Sequence, residues 1–351
     1  MTYRNAEAGF PCDKQGGMKL GIIDTEGKVY LSDNERFADV FNYLIYGGER
    51  VIEAEKLKEL DTTQIAIPYG NNARIPVQKY RDVLRLWNAM MDDNAIYVIM
   101  GVEIQAKVHY AMPVKDGLYD MIGYSRQIEE ARYSYREKNS VKRENDSVDN
   151  KSEGNLFVDD GTLKIKLTNE EFLSGFRKED KLIPIVTAVV YLGSDPWDGP
   201  KSLFEMLDVK DDRLYAFLND YKINIIAPAE IADTDFDKFN TGLGFAMNVI
   251  KHQKDSADKV INQMAHRKVD VDTAIFLNNV AKLGLEFDEK EDFIDVCEAM
   301  DNRIKKEKIV AAIDMGRELG IPDDELFSKV AKKYDVRIDD IKNILSELVC
   351  N

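Results

Sequence analysis

The chain has 351 residues, of which 44% are hydrophobic and 32% are charged, and its formal net charge is −16. The apolar content is enough for one large domain or two modest ones, each with its own core. The acidic balance argues against tight non-specific DNA binding by the whole surface, but it leaves room for a local basic patch or for a site where metal ions offset carboxylates.

The three cysteines and three histidines are far apart and match neither a disulfide framework nor a zinc-ligand spacing. A carboxylate-based site is therefore the economical expectation. No run approaches the roughly 18 apolar residues needed to cross a bilayer, and the first residues lack the basic and apolar regions of a secretion signal. We expect a cytoplasmic protein without membrane contact.

The first elements are a predicted hairpin and a predicted helix. Residues Leu20–Leu31 alternate loosely between apolar and polar and contain Glu-Gly as a turn, which predicts a short strand or hairpin. From Asn34 to Tyr46 the apolar residues follow i, i+3, i+4, i+7 spacing, which predicts a helix capped by the preceding Ser-Asp pair. The Gly47-Gly48 pair should end it.

Two neighbouring strands are predicted next, at Lys79–Trp87 and Ile96–Gln105. The second is almost wholly apolar until its end, as a central buried strand should be. A helix is predicted at about Leu118–Ser134. Residues 137–155 have almost no apolar content and predict a flexible insertion.

After the insertion, the β-prone runs LIPIVTAVVYLG and INIIAP predict two more strands, and the chain beyond about Asp233 is expected to be helical. The predicted organisation is an N-terminal extension (1–31), an α/β domain (32–232) and a helical C-terminal region (233–351). The tail ELFSKVAKKYDVRIDDIKNIL resembles two short helices around a turn, but RIDDIKNILSEL is mixed and acidic where the second helix of a DNA-reading helix-turn-helix would be basic, so we interpret this tail as a packing or oligomerisation module.

One constellation can carry chemistry. Asp82 lies in the middle of the first predicted strand, and Glu103 and Gln105 end the second on one face, because side chains alternate along a strand. Asp82 can then lie opposite Glu103. Two carboxylates at the end of a buried sheet repel each other unless a cation bridges them, and Mg²⁺ takes such oxygen ligands together with waters. Each acid alone is more often a surface charge; the position of the pair at the end of an apolar strand is what favours a site.

Several stretches in a fixed order carry a family resemblance, including KYRDVL (79–84), GVEIQAKVHYAMPV (101–114), GLYDMIGY (117–124) and YKINIIAP (221–228). Over roughly Ser32 to Pro228 the chain resembles the Rpn family of recombination-promoting nucleases, within the PD-(D/E)XK superfamily. The resemblance implies an α/β, restriction-endonuclease-like mixed-sheet core. It also implies Mg²⁺-dependent hydrolysis of DNA phosphodiester bonds, with Mn²⁺ as a substitute metal. A homo-oligomer is a further expectation, since cutting both strands of DNA suits a dimer.

The resemblance also implies roles for individual residues. Asp82 corresponds to the strand aspartate, and Glu103 and Gln105 occupy the (D/E)xK positions. Asp82, Glu103 and the Ile104 carbonyl would hold the metal, and Gln105 would position the attacking water. In this superfamily an acid of the first helix often assists, which makes Glu35 and Asp39 further candidate catalytic residues.

The sequence departs from the superfamily motif at Gln105, where the motif has lysine. A neutral amide can orient water but cannot stabilise charge as an ammonium does. Lys107 and Lys79 are near enough in sequence to supply a substitute cation. The alternative hypothesis is a weakly active or inactive nuclease fold that acts as a DNA-associated or protein-interaction module. The sequence does not distinguish DNA from RNA as substrate.

Overall fold

The computed structural model describes residues 14–66, 77–91, 94–140, 167–255, 267–288 and 290–350. It is a mixed α/β protein. The helices are α1 (Lys14–Leu31), α2 (Asn34–Tyr46), α3 (Met112–Ser140), α4 (Asn169–Ser174), α5 (Gly242–His252), α6 (Val271–Val280), α7 (Val296–Glu318), α8 (Asp323–Tyr334) and α9 (Ile338–Cys350). The strands are β1 (Leu57–Glu59), β2 (Thr63–Ala66), β3 (Val77–Tyr80), β4 (Val83–Met91), β5 (Asn94–Gln105), β6 (Ile185–Tyr191), β7 (Asn224–Ile226), β8 (Lys268–Asp270) and β9 (Phe293–Asp295).

The chain divides into two compact units that are discontinuous in sequence, whereas the predicted domains are three consecutive segments. The first unit, the helical unit, contains Met1–Asp39, Leu192–Pro196 and Ala227–Asn351. The second, the sheet unit, contains Val40–Tyr191 and Trp197–Ile226. The predicted insertion at 137–155 begins inside α3, which ends at Ser140, and its remainder lies outside the described residues.

A five-stranded mixed sheet forms the core of the sheet unit, in the order β1-β4-β5-β6-β7. The pairs β1–β4 and β4–β5 are antiparallel, and β5–β6 and β6–β7 are parallel. The central strands β5 and β6 are apolar and buried, as their sequences predict; Val102, Ala188 and Val190 have no exposed surface. Helix α3 packs on this sheet.

The predicted hairpin at Leu20–Leu31 is wrong, because this segment is part of helix α1. The more enclosed positions Ile23, Gly27, Tyr30 and Leu31 follow i, i+4, i+7, i+8 spacing, which is the period of a helix. Gly27, predicted as a turn residue, is buried in the helix instead. Tyr30 stacks on Phe276 of α6, with 4.2 Å between ring centroids.

The prediction for α2 is confirmed from Asn34 to Tyr46. The Asp33 side chain accepts the backbone N–H of Arg36 at 3.0 Å, as an N-cap does. Gly47 and Gly48 follow the helix with φ of 63° and 101°, values that favour glycine, so they end it as predicted.

In the helical unit, α7, α8 and α9 pack around a small apolar cluster of Ile309, Ile313, Leu326, Val330 and Ile341. Leu319, which directly follows α7, is 73% exposed and lies outside this cluster. None of the helices in the described ranges is both long and apolar enough to cross a membrane.

Candidate functional site

The two strands that carry the predicted site meet as expected, but Asp82 is not inside a strand. β3 ends at Tyr80 and β4 begins at Val83, so Asp82 lies in the break between them. Val83 pairs with Val102, and the same register continued by one residue places Asp82 opposite Glu103. The Asp82 carboxylate accepts the backbone N–H of Ile104 at 2.9 Å. The Asp82 side chain therefore joins the start of β4 to the end of β5, one residue before the first paired residue of β4.

Glu103 is almost fully enclosed, with 1% of its surface exposed. Its Oε2 accepts a hydrogen bond from the Lys115 ammonium at 2.9 Å. Its other carboxylate oxygen, Oε1, is buried and has no hydrogen-bond partner in the part of the chain that the structure describes. A buried carboxylate oxygen without a partner is costly, so the position calls for a proton or a cation.

Gln105 is half-buried at the end of β5, and its Nε2 donates to the carbonyl of Ile104 at 2.7 Å. Lys107 and Lys79 were the lysines expected to replace the missing ammonium. Lys107 is exposed, and the Lys79 side chain lies outside the described residues. The cation beside Glu103 is Lys115, from the first turns of α3.

Helix α3 presents a polar face to the sheet, which sequence reasoning missed. This face consists of two pairs of residues four apart, Lys115 with Tyr119 and Asp116 with Asp120, and residues at this spacing are neighbours on a helix. Asp116 and Asp120 are both buried. The signal was the spacing of these residues in VKDGLYD. It passed unnoticed because the helix was predicted to begin at about Leu118, whereas it begins at Met112.

A fully buried arginine holds the other end of this polar layer. The Arg81 guanidinium donates to Asp120 and to the Thr187 hydroxyl of β6. Thr187 donates in turn to Asp120 at 2.8 Å, and the Tyr221 hydroxyl donates to the second Asp120 oxygen. Each charged group of this network has a partner. These contacts hold the Arg81 side chain in place, directly before Asp82 in the chain.

Asp116 differs from Asp120, since neither of its carboxylate oxygens has a hydrogen-bond partner among the described residues. Burial, and then the charge of Glu103, raise the pKa of Asp116 to about 8. Burial likewise raises the pKa of Glu103 to about 7, although Lys115 opposes this rise; the Asp82 charge adds to it. Perturbed acids in one cluster are typical of functional sites.

The pKa of Lys115 is also shifted. Burial lowers it, but the charge and hydrogen bond of Glu103 outweigh burial and raise the pKa above its ordinary value. The Lys115 ammonium is therefore held in its charged form beside Glu103.

The two acids predicted on the first helix, Glu35 and Asp39, belong to the helical unit, whereas Asp82, Glu103 and Gln105 belong to the sheet unit. Asp39 is buried and accepts hydrogen bonds from the backbone N–H groups of Asn240 and Thr241 at 2.8 and 2.9 Å. It also accepts the Thr241 hydroxyl at 2.7 Å. These contacts give Asp39 a structural task at the start of α5.

Glu35 is exposed and lines an open pocket of about 510 Å³ in the helical unit, together with Arg36, Arg267 and several phenylalanines. Thr241 caps α5 at this pocket, and Gly242 and Gly244 begin the helix. Both glycines are tightly packed against the protein itself, Gly242 on Thr273 and Gly244 on the Phe236 carbonyl. A catalytic role for Glu35 or Asp39 stays a prediction.

The donor atoms at Asp82 and Glu103 fit a magnesium ion by their chemistry. No three His, Cys, Asp or Glu side chains come together as metal ligands in the part of the chain that the structure describes. Mg²⁺ needs fewer, because it commonly binds through one or two carboxylates and keeps several waters. Glu103 Oε1 has no partner among the described residues, and Glu103 lies opposite Asp82 in the extended register, so this oxygen supplies the buried carboxylate ligand that such a site requires.

Comparisons of the chain with protein-family models, with curated proteins and with solved structures identify no match. The interpretation of the site depends on its geometry and on the resemblance seen in the sequence.

Proposed function

We propose that the chain is a Mg²⁺-dependent nuclease with a PD-(D/E)XK-type core that hydrolyses phosphodiester bonds of DNA. The observation that carries the proposal is Glu103, which is enclosed at the end of a central strand, lies opposite Asp82 and keeps one carboxylate oxygen without a partner. Buried side-chain oxygens nearly always have a hydrogen-bond partner, and an ion bound at the site would supply the partner that Oε1 lacks.

The chain's own residues divide the work. Asp82, Glu103 and the Ile104 carbonyl would hold the metal, whose chemistry when bound is to lower the pKa of a water and to offset charge on the phosphate. Gln105 orients the water through its amide, since its carbonyl oxygen can accept a proton-bearing neighbour while Nε2 donates to Ile104. The Asp82 hydrogen bond to the Ile104 N–H keeps the two strand ends together. The role in recombination follows from the resemblance alone.

A second candidate is a nuclease fold that has become an interaction module. Lys115 already neutralises Glu103, and the net charge of −16 opposes a broad DNA-binding face. This candidate predicts that Glu103 and Lys115 form a permanent structural pair, without metal affinity.

The two candidates separate in a plasmid-cleavage assay with Mg²⁺, Mn²⁺ or EDTA. We expect metal-dependent cleavage by the wild type and a loss of roughly 100-fold or more in Asp82→Asn and Glu103→Gln, the scale of removing a group that stabilises the transition state. Glu130→Gln is the matched control, because Glu130 is an exposed acid of α3 whose partner, Arg126, is also exposed.

Equal cleavage by all four proteins, or none by the wild type with either metal, would contradict the nuclease proposal. Single-stranded DNA and RNA of the same sequence, tested in parallel, identify the substrate class. Circular dichroism of each variant shows whether a loss of activity is a loss of fold.

A further inference from the structure

Lys115 differs from an ordinary buried salt-bridge lysine in how it is enclosed. Its Nζ lies 2.9 Å from Glu103 Oε2, yet 26% of its side chain is exposed, compared with 1% for Glu103. The ammonium lies 5.8 Å from the centroid of the Tyr119 ring, which is within reach of a cation–π contact. The lysine thus reaches from solvent inward to the buried carboxylate.

The compensation that Lys115 offers Glu103 is incomplete. The Lys115 ammonium contacts Oε2 of Glu103 and leaves Oε1 without a partner among the described residues. The Asp82 carboxylate adds further negative charge near Glu103. The described site therefore holds less positive than negative charge, which favours a second cation.

A divalent cation and an ammonium on one carboxylate repel each other strongly at such short range. A cation bound at Glu103 would weaken the Lys115 contact. The four-carbon stem of lysine is flexible, and Lys115 is already partly exposed, so its ammonium can turn outward without unfolding α3. The outward side is where a phosphate would approach, and Gln105 brings no charge there.

We propose that Lys115 is a catalytic residue of this nuclease: it neutralises Glu103 in the metal-free protein, releases that carboxylate to Mg²⁺, and then contacts the scissile phosphate with the positive charge that Gln105 lacks. The inference rests on the proposed function. In the reaction the water oxygen forms the new bond to phosphorus, and the leaving oxygen keeps the electron pair of the broken P–O bond and takes a proton from solvent. The proton of the water passes to solvent, and Lys115 stays an ammonium throughout.

The first test is Mg²⁺ binding, measured by isothermal titration calorimetry at pH 9, where protons compete less for Glu103. We expect Lys115→Met to bind Mg²⁺ about fivefold more tightly than the wild type, since an internal competitor worth a typical ion pair is gone. Lys115→Arg should bind no more tightly than the wild type. Lys56→Met is the matched control, because Lys56 forms an exposed ion pair with Glu53 at 3.0 Å and should leave the affinity unchanged.

The second test is single-turnover DNA cleavage by the same proteins at saturating Mg²⁺. We expect Lys115→Met to be slower by about 100-fold, Lys115→Arg to recover part of the rate, and Lys56→Met to match the wild type. A lysine with only a structural role would weaken Mg²⁺ binding and cleavage together, whereas the proposal requires them to change in opposite directions.

Unchanged or weaker Mg²⁺ binding by Lys115→Met overturns the proposal, and so does an unchanged cleavage rate. If the wild type binds Mg²⁺ but cuts no nucleic acid, the proposed function fails and the catalytic role fails with it. The titration still reports in that case whether Lys115 and Mg²⁺ compete for Glu103, so the two failures are distinguishable.

Discussion

Arg81 and Asp120 form an ion pair in which the arginine side chain has no exposed surface and 8% of the aspartate side chain is exposed. The pair joins the break between β3 and β4 to the N-terminal third of α3. Removing one partner of a buried pair leaves the other charge uncompensated, which costs more than the pair itself contributes.

We therefore expect Arg81→Met to lower the free energy of unfolding by roughly 3–5 kcal/mol, measured by urea denaturation. Arg126→Met, which breaks an exposed pair with Glu130 on the same helix, should cost less than about 1 kcal/mol. Similar losses in the two variants would contradict the view that burial decides the cost.

Gly101 is the position on β5 against which Arg81 lies. A Cβ at this residue would overlap Arg81 Nη1, which is held by Thr187 and cannot swing away. We expect Gly101→Ala to destabilise the protein by roughly 1–3 kcal/mol, the cost of overpacking a core.

Gly21→Ala is the control for this substitution, because no described atom lies within 4 Å of the added methyl group in α1. It should stabilise the protein by about 0.5–1 kcal/mol, since alanine favours a helix interior over glycine. A destabilised Gly21→Ala would mean that the α1 backbone does not tolerate alanine for reasons other than space.

The raised pKa of Asp116 should make the free energy of unfolding depend on pH. Its folded pKa of about 8 lies above the usual value of roughly 4 for an unfolded aspartate, so the folded state holds the proton longer. Its contribution to stability is complete below pH 4, falls as the pH rises through the window from 4 to about 8, and is constant above it. Asp116→Asn removes this loss.

The difference in free energy of unfolding between Asp116→Asn and the wild type should therefore grow in favour of the variant from pH 5 to pH 8 and then level off, at roughly 1–3 kcal/mol. Urea denaturation at several pH values measures it. The exposed Asp212→Asn should show no such trend. A difference that is flat from pH 5 to 9 would refute the raised pKa.

Asp39 was predicted as a catalytic acid, but its contacts indicate a structural role at the start of α5. Its two oxygens accept the N–H groups that lead into α5, so Asp39→Ala should destabilise the protein by about 1–3 kcal/mol. Glu35→Gln, one turn earlier and exposed, should cost less than about 1 kcal/mol. If Asp39→Ala kept full stability and lost cleavage, the catalytic reading would be the better one.

The sequence predicted those parts of the structure whose pattern is local and dense. α2 follows from its apolar period and β5 and β6 from their apolar runs, and the opposition of Asp82 and Glu103 follows from strand alternation. α1 was missed because its few apolar residues fit two periods, and only packing of Tyr30 on Phe276 decides between them.

The partners of the candidate site were less predictable, for two physical reasons. Lys115 and Asp116 fell before the predicted start of their helix, so no face could be assigned to them. Asp39 finds Thr241, 202 residues later in the chain, through a contact that no local pattern encodes. Charged side chains at the surface and in a buried layer look alike in sequence until their partners are known.

The polar layer under α3 also limits how the helix can slide. An apolar helix face can shift by a turn and still bury its surface. On α3, however, Lys115 pairs with Glu103 and Asp120 pairs with Arg81, so the same helix carries two ion pairs of fixed spacing. A shift of one turn would break both pairs at once. We therefore expect related chains to vary freely at the exposed Val114, Leu118 and Met121, while insertions or deletions between Lys115 and Asp120 are excluded. The spacing inside α3 is thus a signature by which relatives could be found even where the rest of the sequence has drifted.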